Sequence, residues 1–391
     1  MLKLKMYPAR NGDAFLVYAG GTHILIDAGF ASTYQSFIAS DLAQLARDGG
    51  RLDLVVCTHI DADHIGGLLE FFSLNGSPGK RGIEVDAVWH NSLRSLPAPS
   101  TAPDGFHDRM VLEAIRRRGF QGAASTSPNP ISARQGSSLA KLLRQNGYTW
   151  NGDNGSSCIS EGGVPVALGN ARIHIIGPTN ARLEELRDRW LREVRKLGYK
   201  GSLQPNDLVD DAYEMWCAAV APSSVPNVTP IAANGNLRLA DVYTPDTAIP
   251  NGSSIALIIS AGTERALFLG DAWAEDVVDS LRALQPAAAP ITFDAIKVSH
   301  HGSLHNTSVD LLALVDSPCF LISSDGTRHG HPNFEVLAEI VDRPAAFERH
   351  LFFNYETAAS KRLQSHTSRS GAAFSVHIAE HDWIHLGGKH S

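Results

Sequence analysis

Residues 57–67 read Cys57-Thr58-His59-Ile60-Asp61-Ala62-Asp63-His64-Ile65-Gly66-Gly67. The apolar run at 52–56 before them predicts a buried strand, and the residues from 66 onward predict a helix. Four ionisable side chains therefore lie at a turn between strand and helix, where open α/β layers place their binding sites. Imidazoles and carboxylates at His-x-Asp-x-Asp-His spacing are ligands that a borderline divalent cation prefers. The stretch predicts a metal site on an α/β fold.

A polar turn that caps the next helix is the alternative explanation for these residues. An Asp or a His at such a turn often serves as a helix cap, but capping accounts for one or two of the four side chains. The others need another reason to lie so close together, because neighbouring carboxylates without a cation repel each other. We therefore favour the metal.

The composition bounds the class of protein. The chain has 391 residues, 43% hydrophobic and 19% charged, as expected of a globular protein. No apolar run long enough for a membrane span occurs, and the amino terminus lacks the apolar core of a signal peptide. A formal net charge of −7 argues against a basic nucleic-acid face over the whole molecule, though not against a local one. We expect a cytoplasmic protein, because its cysteines are scattered as in a reducing compartment: Cys57, Cys158, Cys217 and Cys319.

Further polar groups follow predicted strands later in the chain. Asp271 ends the run at 265–271; its alternative role is to cap the next helix. His300 and His301 follow the strand at 293–298. Because successive side chains alternate in extended backbone, we expect one imidazole to face the metals and the other to contact substrate or orient a ligand.

Two further positions are candidates for the surroundings of the site. Asp13 lies in the Asn11-Gly12-Asp13 turn and is placed to orient a metal ligand; an ordinary Asn-Gly turn is the alternative. His90 ends the predicted strand at 85–89, where a lone histidine is more often structural. We keep both as candidates for the cleft.

The motif Thr-His-x-Asp-x-Asp-His-x-Gly-Gly resembles the signature of the metallo-β-lactamase superfamily, which is usually His-x-His-x-Asp-His. In having Asp at the second position of the motif, here Asp61, the chain resembles the branch that contains the hydrolase domain of the DNA-uptake protein ComEC. The choline-phosphate esterases of the bacterial cell wall are similar at this position. Later segments also resemble that branch: Gly270-Asp271, His300-His301-Gly302-Ser303 and Gly330-His331-Pro332.

The resemblance implies an α/β (α+β) fold of four layers, αββα, in which two mixed sheets are faced by helices. We expect residues 1–391 to form one domain. A large insertion at about 93–250 would lie between the His-x-Asp-x-Asp-His motif and the Gly-Asp motif. We expect it to pack over the metal cleft and to influence substrate choice.

The resemblance also implies two metal ions, zinc or alternatively manganese. It assigns one ion to Asp63, His64 and Asp271 with His300 or His331, and the other to His59, Asp61 and Asp271 with His301 or His331. Superfamily members usually carry a histidine where this chain has Asn251, which predicts an oxygen-richer site that tolerates manganese. The candidates for catalysis are Asp63 and His301, and those for substrate contact or ligand orientation are Asp13, His90, Asn251, Ser303 and Lys297.

The expected activity is hydrolysis of a phosphodiester by water that the metals activate. A nuclease acting on single-stranded nucleic acid is the first interpretation. An esterase of a small, lipid-linked or choline-linked phosphodiester is the second. A non-catalytic metal-binding module that recognises a ligand is the third, and the complete set of motifs argues against it. The candidate cations for a polyanion are Arg116, Arg117, Arg118, Arg134 and Lys141 in the insertion, with Lys297 and Arg328 near the site. No oligomeric state is predicted.

Overall fold

The computed structural model describes residues 1–97, 108–121, 138–200, 206–219, 237–286 and 290–386. Strands in these ranges are short and mostly buried. They are β1 Leu2–Met6, β2 Ala14–Ala19, β3 Thr22–Ala28, β4 Leu54–Cys57, β5 Val88–His90, β6 Val166–Leu168, β7 Ala171–Gly177, β8 Ala256–Ala261, β9 Glu264–Phe268, β10 Ile291–Thr292, β11 Ala295–Lys297, β12 Val315–Asp316, β13 Cys319–Ile322, β14 Arg349–Phe353, β15 Phe374–Ile378 and β16 Ile384–His385.

Helices cover the outer faces of the strands. They are α1 Ala31–Thr33, which continues through a π-helical turn at Tyr34–Ile38 into α2 Ala39–Arg47, then α3 Ala62–Asn75, α4 Asp108–Gln121, α5 Leu139–Gln145, α6 Asn180–Lys196, α7 Asp207–Ala219, α8 Leu239–Val242, α9 Ile249–Gly252, α10 Ala274–Leu284, α11 Val309–Leu314, α12 Phe334–Asp342 and α13 Ala358–Gln364. Single 3₁₀ turns occur at Leu93–Ser95 and Ser299–Gly302. None of the helices in the described ranges is both long and apolar enough to cross a bilayer.

The strands form two mixed sheets. The first has the order β16-β1-β2-β3-β4-β5, with an antiparallel meander that becomes parallel at β3-β4. The second has the order β15-β14-β13-β11-β9-β8-β7-β6, parallel from β15 to β9 and antiparallel beyond. A small parallel pair, β10-β12, lies apart from both.

Three apolar clusters separate four layers. The middle cluster joins the facing sides of the two sheets, with Leu4 and Val17 from the first and Leu257 and Phe268 from the second. A second cluster buries the outer face of the first sheet under α2, α3 and the helices of the predicted insertion. A third buries the outer face of the second sheet under α10–α13. The predicted α/β sandwich with helices on both outer faces is confirmed.

The range 93–250 contains more than a separate insertion. Its strands β6 and β7 extend the second sheet, where β7 pairs with β8 over Ala171–Gly177. Helices α4, α5 and α7 pack against one another outside this sheet. The region therefore supplies an edge of the sandwich and a helical cluster beside the first sheet.

Candidate metal centre

The turn from β4 into α3 carries the four side chains of the His-x-Asp-x-Asp-His motif. Asp61 occupies the position before α3, but its side chain makes no capping hydrogen bond, and α10 is preceded by Trp273 rather than Asp271. Helix capping therefore explains neither carboxylate. Two glycines allow close backbone approaches here: a Cβ on Gly12 would lie 1.9 Å from the Asp63 carbonyl oxygen, and one on Gly67 would lie 2.1 Å from that of Ala28.

His300 and His301 follow β11 in left-handed backbone, with φ of 44° and 57°. Alternation applies only to extended backbone, so the expectation that the two imidazoles point apart does not hold here. Both Nε2 atoms lie 3.7 Å from the same oxygen, Oδ2 of Asp271. Left-handed backbone at two successive non-glycine residues is costly and is typical of functional sites.

Four imidazoles converge on Asp271, which follows β9 and is 3% exposed. Their Nε2 atoms lie 3.5 Å (His64) and 3.7 Å (His59, His300 and His301) from Asp271 Oδ2. Neighbouring ligands around one zinc ion are separated by about 3.3–3.6 Å, given metal–ligand bonds of about 2.0–2.2 Å. The spacing around Asp271 is therefore that of ligands to a shared cation.

The other nitrogen of each ring faces a hydrogen-bond acceptor. His64 Nδ1 lies 2.8 Å from Asp27 Oδ2, and His301 Nδ1 lies 2.9 Å from the Ser323 carbonyl oxygen. His300 Nδ1 lies 2.7 Å from Asn306 Oδ1. His59 Nδ1 lies 3.1 Å from the Thr58 hydroxyl, which itself donates to Asp27 Oδ2.

These partners determine where each neutral ring carries its proton. An acceptor opposite Nδ1 holds the proton there and leaves the Nε2 lone pair available to a metal. Four such lone pairs then face a carboxylate, which offers no proton in return. A cation bound between the lone pairs and the carboxylate would satisfy both.

Several buried polar atoms of the same cluster have no hydrogen-bond partner among the residues that the structure describes. They are His59 Nε2, His64 Nε2, Asp13 Oδ1, Asp61 Oδ1, Asn251 Oδ1 and Asp271 Oδ1. Buried polar atoms are almost always satisfied, because leaving one unpaired is costly. The mixture of imidazole nitrogen and carboxylate oxygen suits zinc, manganese or iron. The residues present therefore fit a divalent metal.

The charges of the cluster perturb one another strongly. Burial alone would raise the pKa of Asp271, but the imidazoles of His300, His64 and His301 hold it well below its usual range. Burial would likewise lower the pKa of His64, yet Asp271 and Asp27 raise it well above its usual value. The pKa shifts of Asp271 and His64 both indicate that the surroundings of Asp271 favour positive charge, as expected of a cation site.

The ligand atoms divide into overlapping groups. There are four such groups in the described ranges: His59, His64 and Asp271; Asp63, His64 and His301; Asp13, Asp271 and His301; and Asp13, Asp27 and His64. His301 therefore lies on the Asp63 side, where its Nε2 is 3.9 Å from Asp63 Oδ2. His331 belongs to none of these groups; its ring lies 5.0 Å from that of His300.

Asp13 and Lys297 form a buried ion pair below the cluster. Lys297 is 1% exposed, contacts an Asp13 carboxylate oxygen, and donates to the Gly270 carbonyl oxygen at 2.8 Å. Burial opposes ionisation of Asp13, but Lys297 and His301 lower its pKa to about 2. The pair joins the loop after β1 to the strand β11, so it connects the two sheets beneath the metal ligands.

The comparison with known families bears on this geometry. The sequence profile of the Metallo-beta-lactamase superfamily matches residues 7–124, which include β2–β4 and the His59–His64 motif. The fold is that of the metallo-β-lactamase superfamily. No curated protein matches the chain.

Several solved structures are similar to this chain at low identity. The metallo-beta-lactamase fold protein YhfI from Bacillus subtilis is 11% identical, with a TM-score of 0.39 over 98% of this chain and 100% of that one. CmlA, a diiron beta-hydroxylase from Streptomyces venezuelae, is 12% identical, with a TM-score of 0.35 over 98% and 53% of the two chains. MEM-A1, a subclass B3 metallo-beta-lactamase from a soil metagenome library, is 12% identical, with a TM-score of 0.30 over 80% and 85%. A shared fold does not by itself identify the reaction.

The remaining predicted residues lie at different distances from the metal centre. Asn251 lies beside it: its Nδ2 donates to Asp246 Oδ2 at 2.7 Å and lies 3.4 Å from His300 Nδ1. Ser303 is fully buried, and its hydroxyl accepts from the His305 amide at 3.1 Å. His90 lies in another network, with its Nε2 2.9 Å from Glu214 Oε1.

Sequence reasoning missed three residues whose hydrogen bonds hold the candidate metal ligands and their neighbours in place: Asp27, Asp246 and Asn306. Asp27 accepts from Thr58 and His64, and Asn306 Nδ2 donates to Asp246 Oδ2 at 2.9 Å and to the Asp271 carbonyl oxygen at 3.0 Å. Asp27 ends β3 in the segment Asp27-Ala28-Gly29, so its place at a strand end was a usable signal. No comparable signal marks Asp246 or Asn306.

The cationic side chains of the insertion that were predicted to bind a polyanion have acidic neighbours where the structure describes them. Arg116 contacts Glu113 at 2.9 Å and Asp211 at 3.9 Å, and Lys141 lies 3.6 Å from Asp211. Arg134 and the side chains of Arg117 and Arg118 lie outside the described residues. Arg116 and Lys141 thus lie beside the acidic side chain of Asp211, which argues against their role in a polyanion-binding surface.

Proposed function

We propose that this chain is a metal-dependent hydrolase of phosphodiester bonds from the ComEC-like branch of the superfamily, with nuclease activity on single-stranded nucleic acid. The observation that carries the proposal is the convergence of four imidazole Nε2 atoms on Asp271 Oδ2. Such a site is built to hold cations against a charged group.

The donor set would hold two divalent cations, zinc or manganese. Asp63, His64 and His301 would bind one and His59 with Asp61 the other, while Asp271 contributes to both. Asn251 Oδ1, buried and without a partner, adds an oxygen where other superfamily members carry an imidazole. Bound there, the cations supply Lewis acidity and lower the pKa of a water molecule.

The protein's own groups point to water as the nucleophile. The Ser303 hydroxyl is buried and hydrogen-bonded, and burial raises the pKa of the Cys57 thiol well above its usual value. Asp63 has the most accessible carboxylate of the centre, 23% exposed against 4% for Asp271. Asn11 Nδ2 donates to Asp63 Oδ2 at 2.7 Å and holds it in place. Asp63 is therefore positioned to accept the proton of the attacking water.

The charge around the cleft mouth favours a phosphodiester substrate. Arg10 and Arg328 are exposed in two loops at the cleft mouth. An anionic phosphate gains from such cations on both binding and reaction, because charge builds up on its oxygens as water attacks.

Metal content and hydrolysis together test the proposal. Protein prepared without chelator should contain about two equivalents of zinc or manganese by elemental analysis and should hydrolyse bis-p-nitrophenyl phosphate. Chelator should abolish the activity, and the metal should restore it. Cleavage of single-stranded DNA but not of p-nitrophenylphosphorylcholine would support the nuclease, and the reverse would favour the choline-linked esterase. Absence of any transition metal would count against the whole proposal.

A further inference from the structure

Three loops meet at one rim of the cleft. Ser323 Oγ donates to the Gly12 carbonyl oxygen at 2.6 Å, and Asn354 Nδ2 donates to Ser323 Oγ at 2.9 Å. The Arg10 amide donates to the Tyr355 hydroxyl at 3.3 Å. Segments at 10–13, 323–331 and 354–357 are therefore held side by side, although hundreds of residues separate them in the chain.

This rim borders Asp63. Asn11, next to Arg10, donates to Asp63 Oδ2, and the Asp63 backbone carbonyl oxygen accepts from the Asp13 amide at 3.3 Å. On the other loop, the His329 ring lies 6.0 Å from that of His331, which in turn lies 5.0 Å from His300. The loop with Arg328 therefore also borders the metal centre, through His331 and His300.

The two rim arginines are exposed and uncommitted. Within the described ranges, neither guanidinium makes an ion pair or a hydrogen bond, in contrast to Arg116 in the insertion. The neighbouring carboxylates are engaged elsewhere: Asp325 Oδ1 accepts from the Thr327 amide and hydroxyl, and Glu356 pairs with Lys361 at 2.6 Å. The rim therefore presents two arginines whose guanidinium groups have no ion-pair partner among the described residues.

We propose that Arg10, Arg328 and Tyr355 form a subsite for the nucleotide beside the scissile phosphate. The inference rests on the proposed nuclease function and extends it to substrate recognition. Arginine recognises phosphate through its planar fork of donors. Tyr355 is partly exposed next to Arg10, and an aromatic ring beside cations is the usual platform for an unpaired base.

Binding of a fluorescein-labelled oligothymidylate in EDTA, followed by anisotropy, tests the subsite without cleavage. Arg10→Ala and Arg328→Ala should each raise the Kd about three- to tenfold and reduce the slope of log K against log salt by about 0.7. Tyr355→Leu should raise the Kd at least about fivefold, while Tyr355→Phe, which keeps the ring, should not. Arg51→Ala is the matched control, because Arg51 is an exposed arginine before β4, at the opposite end from the site.

Each outcome decides a separate question. Unchanged affinity in both arginine variants would overturn the subsite. Equal binding of a polyglycerol phosphate, with no effect of Tyr355→Leu, would overturn the nucleotide in favour of a polyol phosphate chain. If the arginine and tyrosine effects appear but the metal-loaded wild type cleaves neither oligothymidylate nor bis-p-nitrophenyl phosphate, the subsite stands and the hydrolase proposal fails.

Discussion

Two buried groups of carboxylates in this chain have opposite surroundings. In the α7 network, defined as Asp210, Asp211 and Glu214, cations and amides approach from neighbouring elements. Arg94 Nε donates to Asp210 at 3.0 Å, and Glu214 accepts from Ser92 Oγ at 2.7 Å and from the Leu139 amide at 2.6 Å. Among the buried carboxylate oxygens of this network, Asp210 Oδ1 is without a hydrogen-bond partner in the described part of the chain.

The metal centre has the opposite arrangement, because its carboxylates face lone pairs rather than hydrogen-bond donors. Its carboxylates Asp61 and Asp271 each keep a buried oxygen without a partner, and the imidazoles of His59 and His64 turn lone pairs towards them. Acidic residues that meet donors stabilise a fold, whereas acidic residues that meet lone pairs need a ligand. The partners of a carboxylate, rather than the number of carboxylates, therefore distinguish a structural network from a binding site.

The largest effect should come from Asp271→Ala. Because this carboxylate contacts all four imidazoles, its loss should release both cations and lower hydrolysis at least about 1,000-fold. Elemental analysis and turnover of bis-p-nitrophenyl phosphate measure the two effects. Glu214→Gln, a buried carboxylate of the α7 network, is the matched control and should keep two equivalents. Retention of both metals by Asp271→Ala would remove the distinction between the two groups.

Single histidine variants should distinguish the two cation sites of the metal centre. His59→Ala should lose chiefly the cation beside Asp61, and His301→Ala the cation beside Asp63, leaving about one equivalent in each. Metal stoichiometry after dialysis is the measurement, and His90→Gln, which changes a partner of Glu214 away from the metal centre, should retain both ions. Equal loss of both ions from His59→Ala and His301→Ala would mean that the two-site assignment is wrong.

Removal of a carboxylate from the α7 network should cost stability instead. Glu214→Ala leaves His90, Ser92 and two backbone amides buried without the carboxylate that accepts their hydrogen bonds. This loss should lower the free energy of unfolding by about 3–5 kcal/mol. Urea unfolding of the metal-loaded protein measures the loss. Metal content should stay at the wild-type value; a variant as stable as wild type, or one depleted of metal, would contradict the comparison.

The smallest effect concerns pH. Burial raises the pKa of Asp210 from 3.8 to about 6, against the opposing charge of Arg94. The folded state therefore holds this proton more tightly than the unfolded state, so Asp210 disfavours folding increasingly as pH rises from about 4 to about 6. The stability of wild type relative to Asp210→Asn should fall by about 2–3 kcal/mol over that window. Urea unfolding at both pH values checks this, because contributions common to both variants cancel; a constant difference would refute the raised pKa.

Local sequence predicted the individual strands, and the family resemblance predicted how they are arranged. Short apolar runs predicted the strands that lead to Asp271 and to His300, and the superfamily resemblance added the two faced sheets, which the structure confirms. The assignment of particular ligands to particular ions stays a prediction. What the sequence could supply was the set of ligand-type residues at strand ends, since carboxyl ends of neighbouring parallel strands meet at one edge.

The sequence by itself thus indicated which elements form and which ligand-type residues follow strands, because hydrophobic periodicity and turn chemistry act over a few neighbouring residues. Only the tertiary structure decided which charges are satisfied. Asp13 meets Lys297, Asp27 orients His64, and the left-handed backbone turns His300 and His301 to the same oxygen. Arg116 is neutralised by Asp211 while Arg328 remains available. Such pairings depend on residues far apart in the chain, and no local pattern encodes whether a buried charge will meet a donor, a lone pair or open solvent.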